Sequence, residues 1–179
     1  MAKRISLSGM SEITSFPPIA SGNARVLILG SMPGEVSLKA NQYYAHPRNQ
    51  FWKLTGDLLG FDSGRDYEHK IQSLIDAKIA LWDVLKSCRR LGSLDANIET
   101  QSVIINDFAS FFRRHPLISH VFFNGAKAEQ LFRLQVGDSP DDKALHMLRL
   151  PSTSPTHAHM NYEQKLEKWR VLLDVLSAD

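Results

Sequence analysis

The chain has a single cysteine, Cys88, in 179 residues. An internal disulfide, a four-cysteine zinc site and a four-cysteine iron–sulfur cluster are thereby excluded, and such low thiol content suits a reducing compartment. No apolar run approaches the length needed to span a bilayer. The opening MAKRISLSGMSEITSF is basic but lacks the continuous apolar stretch of a secretory leader. These absences predict a soluble, cytoplasmic protein with no membrane partner. The GxGxxG spacing of dinucleotide sites, the Walker Lys-Ser/Thr and the GxSxG nucleophile elbow are also missing. His157 and His159 form a close pair, but no third ligand stands at metal-site spacing, so neither a metal nor a cofactor is expected.

What is present is ample apolar material: 43% of the residues are hydrophobic, enough for one core. The formal charge of +2 permits a polyanionic partner without requiring one. Arg89-Arg90 and Arg113-Arg114 are either solvated helix ends or part of a phosphate-facing rim. Residues 1–24 are polar, and Phe16-Pro17-Pro18 predicts an extended amino-terminal arm, followed by a single domain over 25–179. Apolar runs predict strands at Val26 to Leu29, Ile79 to Val84, Ile118 to Phe123 and Leu145 to Leu150. Helical spacing predicts helices after Pro47 and around Ile71 to Ile75, and others over Ile98 to Arg114, Ala126 to Phe132 and Tyr162 to Leu176. A Gly, Asp and Pro-rich loop is expected over Gly137 to Asp142. The alternation implies an α/β fold of three α/β/α layers around a central, mainly parallel four-stranded sheet.

The most informative stretch is VLILGSMPGEVSLKANQYYAHPRNQFW, from Val26 to Trp52. An apolar strand enters a Gly-Ser-Met-Pro-Gly turn and then a cluster of aromatic, His and Asn residues, at the strand end where open α/β sheets bind ligands. In a parallel sheet the loop after the fourth strand, Pro151-Ser-Thr-Ser-Pro-Thr-His157, reaches the same edge. Its small hydroxyl residues and backbone N–H groups suit either phosphate binding or the capping of a helix.

Together LILGSMPG, YYAHPRNQFW and LPSTSP resemble the uracil-DNA glycosylase superfamily, and most closely its hypoxanthine-DNA glycosylase branch. The first segment aligns without gaps to GxNPG followed by FxxAHPxNxFW. The resemblance implies a uracil-DNA-glycosylase-like fold and hydrolysis of the N-glycosidic bond of a deaminated base flipped out of DNA. It places Tyr44 as the ring that stacks on that base, an interaction worth about 1–3 kcal/mol. Ser31, Met32 and Pro33 become the pocket wall. Asp83, or Trp82 if the alignment slips by one, would read the base edge, with the carboxylate accepting a hydrogen bond. Ser152, Thr153, Ser154, Pro155, Thr156 and His157 would contact DNA, one of the last three as a wedge.

Met32 departs from the pattern, because uracil enzymes place there the Asp or Asn that orients the attacking water. Asn49 is the candidate replacement, and its alternative role is to cap the helix after Pro47. His46 or His157 would donate to N7 or O6 of the departing base. No lysine stands at the pocket motifs, so a monofunctional hydrolase acting as a monomer on hypoxanthine-containing DNA is expected. The alternatives are a uracil or mismatch-specific enzyme of the same superfamily, a serine hydrolase built from Ser31, Asp83 and His157, and a nucleic-acid-binding module without catalysis.

Overall fold

The computed structural model describes residues 11–137 and 144–177. In chain order its elements are β1 (Ser11–Thr14), β2 (Val26–Gly30), α1 (Glu35–Ala40), α2 (Phe51–Leu59), α3 (Tyr67–Asp76), β3 (Ile79–Asp83) and β4 (Leu85–Arg90). They continue with β5 (Ile104–Ile105), α4 (Phe108–Arg114), β6 (His120–Asn124), α5 (Ala126–Gln135), β7 (His146–Leu150), α6 (Tyr162–Trp169) and α7 (Val171–Ser177). Both β2 and β3 are buried along their whole length, as apolar strands covered on both faces must be. They belong to a four-stranded sheet in the order β3-β2-β6-β7, parallel at each pairing, with helices packed around it. This is the expected α/β architecture. The chain steps from β2 to one side for β3 and later to the other side for β6, which puts a topological switch point beside β2.

A second sheet, β1-β4-β5, is antiparallel and was not legible in the sequence. Its central strand, LKSCRR, has no apolar run. It buries Leu85, Ser87, Cys88 and Arg90 and exposes Lys86 and Arg89. Only Val84 separates β4 from β3, so one continuous path leaves the parallel sheet and enters the other. The single helix expected over Ile98 to Arg114 is absent. A 3-10 turn at Thr100–Ser102 and β5 precede α4, which starts only at Phe108, where Asp107 caps it by accepting from the Ser110 N–H at 2.9 Å. Asn106 holds the preceding chain extended, donating from Nδ2 to the carbonyls of Asp83 and Leu85. The last helix is likewise divided, at Arg170. Most of the expected loop over Gly137 to Asp142 lies outside the described residues, as do residues 1–10 of the amino-terminal arm.

After β1 the chain passes β4, where Ser15 donates its N–H to the Lys86 carbonyl, and then lies beside β3. Ile19 exchanges both backbone hydrogen bonds with Leu81, and the Phe16 carbonyl accepts from Trp82 Nε1. The core is aromatic behind the first turn: Phe51 meets Trp52 and Trp169 edge-on, and Trp169 Nε1 donates to the Pro151 carbonyl at 3.0 Å. That bond anchors the loop after β7 to α6.

Candidate active site

The carboxyl ends of β2, β3 and β6 and the loop after β7 meet around a cavity of about 470 Å³, a size that holds a nucleobase. Gly30, Ser31, Met32, Pro33, Tyr44, His46, Asn49 and Asp83 line it, as do Asn124 and the loop residues 152–156. His157 lines instead a smaller adjoining hollow.

Gly30 ends β2 opposite Asp83. A Cβ there would stand 2.4 Å from Asp83 Oδ1 and 2.9 Å from the Tyr44 hydroxyl, so only glycine leaves room for both groups. Gly30→Ala should therefore cost about 1–3 kcal/mol of stability through overpacking, measurable by denaturant unfolding.

Tyr44 adopts φ +54°, the left-handed region, where a bulky side chain is strained. Its ring stacks on Phe51 with centroids 4.1 Å apart and planes 23° from parallel. Ala45 and Tyr43 pin the flanking backbone, donating to Ser37 Oγ and the Tyr67 hydroxyl.

Asp83 is 3% exposed, and its Oδ2 has no hydrogen-bond partner among the described residues. Burial, assisted by the negative charge of Asp95 and opposed by Arg90, pushes its carboxyl up to about 8. At neutral pH Asp83 is thus mostly an acid that can donate, where the sequence suggested an accepting carboxylate. The unfolded chain loses this proton near the ordinary value of 3.8, so between about pH 4 and about pH 8 the folded state holds more protons. Stability should then fall as pH rises across that window. Asp83→Asn should remove the decline, giving a stability gain over wild type that is larger near pH 8 than near pH 5 in paired unfolding curves.

Ser31 is buried and donates from Oγ to Asp95 Oδ2 at 2.6 Å. Its hydroxyl therefore addresses a carboxylate and not a histidine, which removes the serine hydrolase reading. Asp95 Oδ1 lies 3.7 Å from Nη1 of Arg90, whose side chain is wholly buried and donates to the carbonyls of Gly92 and Pro33. Arg90 is consequently a tether for the first turn and no part of a phosphate rim. Met32 is 7% exposed, packs in the core and borders the cavity, where its side chain can offer no more than a thioether.

Asn49 accepts the Phe51 N–H on Oδ1 at 3.0 Å, at the start of α2. This bond closes a turn just ahead of the helix, whose N-cap is Gln50 without a side-chain cap, so Asn49 steadies the approach to α2 while its amide Nδ2 is the donor it can offer to the cavity it lines. His46 accepts the Arg48 N–H on Nδ1 at 3.1 Å, so a neutral His46 carries its proton on Nε2. His157 is held below its ordinary value by burial, then by His159 and Lys165. Being outside the main cavity, it is the poorer donor to a base.

The loop after β7 is not a ring of free donors. The Thr153, Ser154 and Thr156 N–H groups go to Asn124 Oδ1, Ser152 Oγ and Ser154 Oγ, and that of His157 goes to the Ser154 carbonyl. Thr153 is fully buried, with its hydroxyl accepting from Asn124 Nδ2 at 2.9 Å, so its side chain braces the loop and has no surface for DNA. Gln50 donates its N–H to the Thr153 carbonyl, joining the two site segments. Sequence reasoning missed Arg90, Asp95 and Asn124. Asn124 directly follows the expected strand Ile118 to Phe123, a position that could have flagged it, but no local periodicity distinguished Asp95.

A nucleobase-sized cavity at the carboxyl edge of a parallel α/β sheet, walled by a tyrosine, an amide, a histidine and carboxyl groups, defines a nucleobase-binding α/β protein. The chain belongs to the uracil DNA glycosylase superfamily, whose family model matches residues 17–175. It is 35% identical over 153 residues to a hypoxanthine DNA glycosylase of Methanosarcina acetivorans, covering 85% of this chain and 92% of that protein. A hypoxanthine DNA glycosylase of Methanosarcina barkeri is 41% identical over 114 residues, which is 63% of this chain and 71% of that protein. The solution NMR structure of a candidate uracil DNA glycosylase from Methanosarcina acetivorans superimposes with a TM-score of 0.77 at 32% identity, over 92% of this chain and 99% of the other. Among the described residues no helix is long and apolar enough to cross a membrane.

Proposed function

We propose that the chain is a monofunctional DNA glycosylase that accepts a flipped deaminated base, chiefly hypoxanthine, and hydrolyses its N-glycosidic bond. The observation that carries this reading is Tyr44, held in a strained backbone with one ring face on Phe51 and lining a nucleobase-sized cavity. The identity to hypoxanthine DNA glycosylases supports the choice of base. Tyr44 stacks on the base with its other face. Protonated Asp83 donates to O6, an acceptor in hypoxanthine where adenine carries an amino group. His46 Nε2–H and Asn49 Nδ2–H address the departing purine, which needs its developing negative charge met. Ser152, Ser154, Pro155, Thr156 and His157 support the strand around the vacated position, and Thr153 holds them through Asn124. The protein acts as a monomer in the cytoplasm.

The test is incubation of the protein with duplexes containing deoxyinosine, deoxyuridine or deoxyxanthosine, with abasic sites scored by alkaline cleavage. Fastest excision from deoxyinosine is expected. Fastest excision of uracil would move the assignment to the uracil branch, and binding without any excision would favour the non-catalytic module.

A further inference from the structure

Resting on the glycosylase reading, we propose that Asp95 is a catalytic residue, its carboxylate holding and activating the water that attacks C1′ of the flipped nucleotide. Asp95 comes from the loop after β4, and nothing in the first turn or the Tyr44 to Asn49 segment foreshadows it.

Its position is the first argument. Asp95 borders both the main cavity and the smaller hollow of about 180 Å³ beside it. The hollow also borders Lys127 and the amino end of α5, where a phosphate is favoured by a cation and by free backbone N–H groups. A nucleotide with its base in the main cavity and its phosphate in the hollow has its sugar at the seam. Asp95, Asn124, Ser152 and Thr156 border both spaces, and Asp95 alone among these four is ionisable to a base.

The second argument is its relation to Met32. The Met32 thioether cannot orient or deprotonate water, yet the neighbouring Ser31 reaches Asp95 with its hydroxyl at 2.6 Å. A carboxylate thus stands beside the turn, supplied from the loop after β4. Ser31 fixes one oxygen and buried Arg90 faces the other at 3.7 Å, so the group is pre-oriented while lone pairs remain for water. Its side chain is 36% exposed, which leaves access from the seam. Burial raises the Asp95 carboxyl from its ordinary value, against the pull of Ser31 and Arg90, and that makes it a better base. The two carboxyls of the site also differ in surroundings: Asp83 is 3% exposed with no cation in contact among the described residues, whereas Asp95 faces both Arg90 and the seam.

The step balances. The C1′–N9 bond breaks with its electron pair going to the base, and the water oxygen bonds to C1′. The water proton passes to Asp95 and from it, through solvent, to the base. Deoxyinosine in DNA and one water become an abasic site and hypoxanthine.

The experiment compares wild type with Asp95→Asn in single-turnover excision from a deoxyinosine duplex, alongside binding to a duplex carrying a tetrahydrofuran abasic analogue. Asparagine keeps the size and an acceptor for Ser31. A rate loss of about 10²–10⁴-fold is expected with affinity for the analogue within about threefold. A rate within about threefold of wild type, or a rate loss matched by an equal loss of affinity, overturns the assignment and leaves the glycosylase reading standing. Should Asp95→Asn fail to fold, Asp95→Glu decides by the same criteria, since it retains the charge beside Arg90 and displaces the carboxylate. Wild type that excises neither hypoxanthine nor uracil overturns both readings.

Discussion

Asn49→Ala should slow single-turnover excision of hypoxanthine by about 10²–10³-fold, the usual effect of removing one donor aimed at developing charge. The same substitution removes the acceptor for the Phe51 N–H at the start of α2 and should cost about 1 kcal/mol of stability. The two effects separate with Asn49→Ser, whose hydroxyl can accept from the same N–H but cannot extend an amide into the cavity. Melting temperature should be close to wild type for the serine variant, with excision still slow. If serine restores the rate as well, Asn49 acts only through the turn ahead of α2 and the departing purine is served by His46 and Asp83. Because Asn49 is a neutral amide, neither outcome makes it a proton acceptor.

Trp169→Ala should destabilise the fold by about 3–5 kcal/mol, because a wholly buried indole is lost and a cavity is left in its place. In a domain of this length that lowers the melting temperature by about 6–20 °C, readable by calorimetry. The effect reaches the site along a short path. Trp169 meets Phe51 edge-on with centroids 6.1 Å apart, Phe51 stacks under Tyr44, and the indole N–H holds the Pro151 carbonyl. Below the lowered melting temperature the variant should therefore excise more slowly than wild type. Trp169→Phe restores ring packing but leaves the Pro151 carbonyl without its donor. It should recover most of the stability and less of the rate.

The parallel sheet was legible chiefly through two runs, VLIL and IALW, which are buried on both faces and contain no polar residue. The antiparallel sheet was not, because a strand that buries Ser87, Cys88 and Arg90 gives neither an apolar run nor a clean alternation. Val103, Ile104 and Phe108 mimic a helical stripe, yet Asn106 bonds to the Asp83 and Leu85 carbonyls and Asp107 caps a later start. At the site, Tyr44, His46, Asn49 and the first turn were identifiable as one segment. The roles that depend on burial or on distant partners were not. Asp83 is a donor because of desolvation, Thr153 is a brace because Asn124 finds it, and Asp95 is brought in by Ser31 and Arg90 from another sheet.

The arm beside β3 bears on edge-to-edge association of the parallel sheet. In the order β3-β2-β6-β7 each outer strand has one flank with no strand of this sheet on it among the described residues, and an open flank is a template on which another chain can add a strand. On β3 that flank is occupied where Ile19 takes both backbone groups of Leu81. On β7, His146, Leu148 and Arg149 are exposed, and bulky polar side chains hinder a neighbour from docking in register. One flank is closed by the chain itself and the other is guarded by composition, two separate defences against edge-to-edge aggregation.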